Sequence, residues 1–142
     1  IASVDTDGTP LASYAPFARD AEGAFCVAVS GLAAHGRVLA GSSRVSVMLI
    51  EDEQAARQIF ARTRLVFDCR VTAQTGAQRA EVFAALRARF GEVAQVLEGL
   101  GDFVAYRLAP ENGNFVMGFG AAFDVPGGRV DALRPVEIER KP

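Results

Sequence analysis

The chain has 142 residues, half of them hydrophobic and 23% charged, with 15 basic against 17 acidic residues for a formal charge of −2. That is enough for one globular domain with a real core, and so weak a negative balance excludes a nucleic-acid binder that works by neutralising phosphates. Lys141 is the only lysine and His35 the only histidine, which excludes a lysine Schiff base, a P-loop and a multi-histidine metal site.

The first third predicts short strands joined by tight turns. Ile1 to Asp5 reads as a strand stub, and residues 5–10 are dense in turn formers. Leu11 to Arg19 reads as the next strand, with Pro16 marking an edge or a bulge. After a turn at residues 20–23, Ala24 to Val29 is almost wholly apolar, as expected of a strand covered on both faces. Ser30 then stands where a helix N-cap is wanted. Leu32, His35, Val38 and Leu39 recur at helical spacing, and Gly41 is a plausible stop. Val45 to Ile50 predicts another apolar strand.

Glu51-Asp52-Glu53 places acids where a helix begins, and Ala55, Ala56, Ile59 and Phe60 predict its buried face. Arg64 to Gln74 alternates as a half-buried strand does. Residues 76–100 predict two helices broken at Gly91, with Phe83, Leu86 and Phe90 on one core stripe and Val93, Val96, Leu97 and Leu100 on another. Phe103 to Leu108 predicts a strand, Asn112-Gly113 a hairpin turn, and residues 114–125 the return strand. The domain is expected to span residues 1–125, followed by a tail, 126–142, rich in Gly, Pro and charge. The sum is a mainly β fold with inserted helices, built as a small antiparallel barrel.

The junction after Val29 is the local feature that points to chemistry. A helix N-terminus offers free N–H groups and a positive dipole end, which suit a phosphate. Ser30 would add a hydroxyl, and His35 and Arg37 positive charge. The competing reading is a serine that only caps its helix. Arg57, Arg62 and Arg64 form a basic cluster that either receives an anion or pairs with neighbouring acids. Cys26 and Cys69 lie in apolar strands without a C-x-x-C pair, so they read as packing residues in a reducing setting. No apolar run is long enough to span a membrane and nothing reads as a signal peptide, so a cytoplasmic location is expected.

Several segments, in order and at matching spacing, carry a resemblance: residues 11–17 (LASYAPF), Ser30-x-Leu32-Ala33-x-His35, Ile50-Glu51-Asp52-Glu53, Leu65-Val66-Phe67-Asp68, Arg89-Phe90-Gly91-Glu92, Asp102-Phe103 and Gly118-Phe119-Gly120-x-x-Phe123. Together they resemble the FMN-binding split-barrel superfamily that includes pyridoxamine 5′-phosphate oxidase, and within it the haem-utilisation branch. The resemblance implies a six-stranded antiparallel split β-barrel working as a homodimer, with a ligand groove between protomers. It implies FMN as cofactor, possible flavin-dependent oxidoreductase chemistry, and a phosphate held by Ser13, Tyr14, Ser30, His35 and Arg37. The haem branch implies haem as the alternative cofactor, bound or degraded. Its axial histidine near the C-terminus corresponds to Glu139 here, and the aspartate ordering that ligand to Asp102. A third reading is a non-catalytic dimeric ligand-binding protein on the same scaffold.

Overall fold

The structure, a computed structural model, describes residues 1–136. Nine antiparallel strands form one sheet: β1 (Ala2–Val4), β2 (Pro10–Ala12), β3 (Phe17–Arg19), β4 (Phe25–Ser30), β5 (Arg44–Ile50), β6 (Arg64–Gln74), β7 (Phe103–Val116), β8 (Ala122–Asp124) and β9 (Arg134–Pro135). Three helices are inserted: α1 (Ala34–Gly41), α2 (Gly76–Phe90) and α3 (Glu92–Gly99). The fold is mainly β, as expected. The strand count is higher than six because β1, β2, β3 and β8 have only three residues each and β9 two.

The hydrogen-bonded path runs β2-β1-β5-β6-β7-β4-β3. Its two end strands, β2 and β3, are separated in sequence by only Ser13 to Pro16. At most about 3.6 Å per residue, that link forces the sheet to curl until its edges face each other. The expected single strand from Leu11 to Arg19 is therefore two strands with an unzipped seam between them. Pro16 brings no N–H to close it.

Strand β7 organises the rest. One edge pairs with β6, while the other takes β4 along its first half and β8 along its second. It continues straight through Asn112-Gly113, where a hairpin was expected. A register shift at Asp68/Cys69 leaves Glu111 as an extra residue between Pro110 and Asn112, and Glu111 is held there by ion pairs from Arg44 and Arg70. Gly113 serves close approach: a Cβ there would stand 2.7 Å from the Phe67 ring and the Val66 carbonyl. The chain turns back later, over residues 117–121, with Met117 N–H on the Ala121 carbonyl at 2.9 Å.

Alternation along β4 produces two cores. Phe25, Val27 and Val29 point into the curled sheet with Val45, Val47, Phe67, Cys69, Tyr106 and Leu108. Cys26 faces the other way, onto Val82, Phe83 and Leu86 of α2 and Ala94 of α3. The Gly91 break is present, at φ +67°. The second stripe expected on α3 is a correction: Val93, Val96 and Leu100 are exposed, because the short helix packs through Ala94 and Leu97 alone.

The helix expected after Glu51 is also absent. Arg62 donates to the Glu51 carbonyl, and Thr63 N–H donates to the Glu51 carboxylate at 3.0 Å, tying residues 51–63 into a closed loop. Only one 3-10 turn forms, Ile59–Ala61, and Phe60 is 83% exposed. Residues 126–136 are docked on the barrel: Val125 is fully buried, β9 pairs with β8, and a Cβ on Gly128 would stand 2.6 Å from Pro110.

Candidate functional site

The seam between β2 and β3 opens into a cleft of about 690 Å³. Its walls are Ala12 to Phe17 from the seam, Phe25 and Val27 from β4, Ser46 to Ile50 from β5, and Arg89 with Phe90 from the last turn of α2. The open seam leaves Ala15, Phe17 and Leu49, which pack against the core, only partly buried, and they join Met48 and Ile50 in an apolar lining. Ser13 is held in the seam by its backbone, its N–H on the Ile1 carbonyl at 2.8 Å. Tyr14 is 86% exposed at the rim.

Arg89 is the one charged side chain among the described lining residues. Its Nη1 donates to the Phe17 carbonyl at 2.6 Å, and its guanidinium lies 4.6 Å from the Phe17 ring centre and 5.2 Å from that of Phe90. Contacts of this kind hold a guanidinium in place while leaving most of its donors unspent.

The junction after β4 is built differently. Ser30 is the last residue of β4, not the helix cap; the cap position is Ala33, without a side-chain hydrogen bond. The helix starts late because Ser30 makes its own local turn, accepting from Leu32 N–H at 3.2 Å. The Ser30 hydroxyl donates to Asp102 Oδ2 at 2.5 Å, and Gly31 N–H donates to the Asp102 carbonyl at 2.8 Å. Gly36 lets α1 lie directly on this turn, since a Cβ would stand 2.0 Å from the Ser30 carbonyl oxygen. Arg37 folds back onto the Leu32 carbonyl. His35 is half-buried.

The five residues expected to hold a cofactor therefore divide. Ser13 and Tyr14 line the cleft, whereas Ser30, His35 and Arg37 do not. At the junction a carboxylate already sits beside the serine, where a phosphate would meet like charge. Arg62 is engaged by Glu51, and lies 3.8 Å from Glu53. Cys69 is fully buried, and burial, helped by the charges of Asp68 and Glu111, pushes its thiol up to about 12; it is no nucleophile at neutral pH. Burial likewise raises Cys26. No cluster of three metal-ligating side chains is present among the described residues, and no helix among them is long and apolar enough to cross a membrane. Glu139 lies outside the described residues.

Residue-level reasoning missed Arg89 as a cleft residue. The signal available was a cation beside Phe90 in the last turn of a helix, which reads equally as a response to the helix dipole. Met48 and Ile50 were visible only as members of an apolar strand. Their outward alternation on β5 is what places them at the cleft rim.

Known proteins place this architecture. The chain is 45% identical over 144 residues to heme oxygenase HutZ of Vibrio cholerae serotype O1, spanning 99% of this chain and 81% of that protein. The crystal structure of HutZ, described there as a heme storage protein, superposes with a TM-score of 0.72 at 43% identity over 78% of each chain. A heme binding protein from Mycobacterium smegmatis superposes with a TM-score of 0.78 at 26% identity, covering 89% of this chain and 51% of the other. The sequence profile described as pyridoxamine 5′-phosphate oxidase matches residues 1–117, and the chain belongs to that family.

Proposed function

We propose that this chain is a haem-binding protein of haem utilisation. The observation that carries the reading is the 45% identity to HutZ along nearly the whole chain. The seam cleft supports it physically. Pockets for small molecules and cofactors are concave, mostly apolar and furnished with a few polar groups, and span about 300–1,000 Å³. This cleft has that size, an apolar wall and one cation. Its lining also offers Tyr14 and Met48, side chains of types that ligate haem iron; His35 stands apart. When bound, haem would supply the iron and oxygen chemistry, with the chain's residues positioning and shielding it. FMN is the weaker reading, because the donors expected for its phosphate at Ser30 and Arg37 are spent on Asp102 and Leu32. The test is a haem titration followed by absorbance. A sharp Soret band saturating near one haem per chain is expected, and none at tens of micromolar overturns the reading. HutZ is described both as an oxygenase and as a storage protein. Loss of that band under reductant and oxygen would favour the first role, and persistence the second.

A homodimer accompanies this reading. Outward positions of β5 and β6 carry Met48 opposite Val66 and Ile50 opposite Arg64. Phe60 and Phe119, at the same end, are 83% and 77% exposed, and a Cβ on Gly118 would lie 3.9 Å from the Ala61 carbonyl, which brings the two turns together. Large apolar side chains exposed together mark an interface. Met48 and Ile50 also line the cleft, so a second copy seated there would roof it. Sedimentation should show a dimer for the native chain, and a monomer for Phe60→Ser combined with Phe119→Ser; a monomeric native chain overturns the proposal.

A further inference from the structure

We propose that Arg89 is the anchor for a carboxylate at the cleft mouth, so that the site selects a flat apolar ring bearing an acidic edge. This rests on the haem reading above, and names the residue and the ligand group that fix orientation.

Of the thirteen arginines among the described residues, Arg44, Arg62, Arg70, Arg87, Arg107 and Arg129 each meet a carboxylate within 4.0 Å; of the seven that meet none there, Arg89 is the one that lines the cleft. Arg87 is a close comparison, because it lies in the same last turn of α2 and is paired with Glu98. Arg89, two residues on, faces the opposite way and has no acidic partner among the described residues. Its neighbours are the Phe17 carbonyl and two aromatic rings. Those contacts fix the plane of the guanidinium without neutralising it. A carboxylate can then take two parallel N–H bonds with little further loss of side-chain freedom.

The surroundings select the rest of the ligand. Phe17 and Phe90 present aromatic faces beside the cation, and Met48 and Ile50 continue the apolar wall from β5. A ring system lying along that wall with its carboxylate on Arg89 satisfies both halves of the site. A neutral ring leaves the cation unpaired, and a small polar anion leaves the wall wet.

The test titrates the native chain, Arg89→Lys and Arg89→Gln with haem and with haem dimethyl ester, whose carboxylates are blocked, reading the Soret band. Native protein should bind the ester about tenfold to a hundredfold more weakly than haem, the range for losing a charge-assisted hydrogen-bonded pair. Arg89→Gln should weaken haem by a similar factor and leave the ester unchanged, with Arg89→Lys in between. Equal native affinity for haem and ester overturns the anchor, as does an Arg89→Gln chain that loses both ligands alike, which marks a structural role. The native comparison decides the matter even if Arg89→Gln fails to fold. No Soret band from the native chain overturns both this proposal and the haem reading; a band indifferent to Arg89 and to esterification overturns this one alone.

Discussion

The seam cleft and the β4–α1 junction are both places where a strand ends beside a helix terminus, yet they spend their polar groups in opposite ways. At the junction the hydroxyl of Ser30, the N–H groups of Gly31 and Leu32, and the guanidinium of Arg37 all close on partners within the chain. At the cleft, Tyr14, Met48 and Ile50 stand exposed, Phe17 and Leu49 are only half-buried, and Arg89 keeps most of its donors unspent. A polar motif recognisable in sequence can be recognisable because it builds structure. A binding surface can be made of residues that look ordinary one at a time, and become a site only when the sheet curls.

The sharpest way to break this contrast is to push the junction apart. An alanine at Gly36 would gain about 1 kcal/mol from helix propensity if its space were open. Its Cβ would instead stand 2.0 Å from the Ser30 carbonyl, and overpacking of that kind costs about 1–3 kcal/mol, sometimes more. The clash should win, so Gly36→Ala should lower the melting temperature by several degrees. Gly41, in the same helix, has nothing within 4 Å of its Cβ position, so Gly41→Ala should be neutral or stabilising. If Gly36→Ala melts no lower than Gly41→Ala, the junction is looser than described.

A smaller effect is expected from Ser30→Ala. Removing the hydroxyl leaves the Asp102 carboxylate without the 2.5 Å donor it has in the structure, a loss of about 1–2 kcal/mol by denaturant titration. Because Ser30 does not line the cleft, haem affinity should be unchanged and its effect on stability additive with that of Arg89→Gln. A tenfold loss of haem affinity in Ser30→Ala would join the two regions into one site and dissolve the comparison.

What the sequence showed follows from what is local. Strand β6 occupies Arg64–Gln74, the segment its alternation predicts, and the helix break falls at Gly91, because period and breaker are written in consecutive residues. The two-faced burial of β4 was readable from an uninterrupted apolar run. The failures are long-range. Asn112-Gly113 carries a hairpin signal, but β6, some forty residues earlier, supplies a full-length partner and a bulge that keep β7 straight. Ile59 and Phe60 have helical spacing, but no core element faces them. Ser13 and Tyr14 were found through resemblance. Arg89 was not, since its nearness to Phe17, 72 positions earlier in the chain, depends on α2 returning to the seam.

The smallest expected effect concerns the wall of the cleft formed by β3. Asp20, in the turn after that strand, accepts from Ala24 N–H at 2.8 Å, from Glu22 N–H at 3.0 Å and from Arg107 Nε at 2.6 Å. Burial by itself pushes its carboxyl up, but the Arg107 hydrogen bond, the backbone donors and the Arg107 charge together outweigh burial and hold it below 3.8. A carboxylate depressed in the folded state favours folding above its unfolded value, and that contribution is lost as the pH falls through the folded one. The native melting temperature should therefore drop more steeply below about pH 4 than that of Asp20→Asn, which has no such proton to take up. Arg107 stands opposite Cys26 on β4, so the protonated turn loosens β3 and β4, on the cleft side. Hydrogen exchange at pH 3 should then rise at residues 17–25 before it rises at residues 30–36. The reverse order would place the weaker region at the junction, although its polar groups close on partners within the chain.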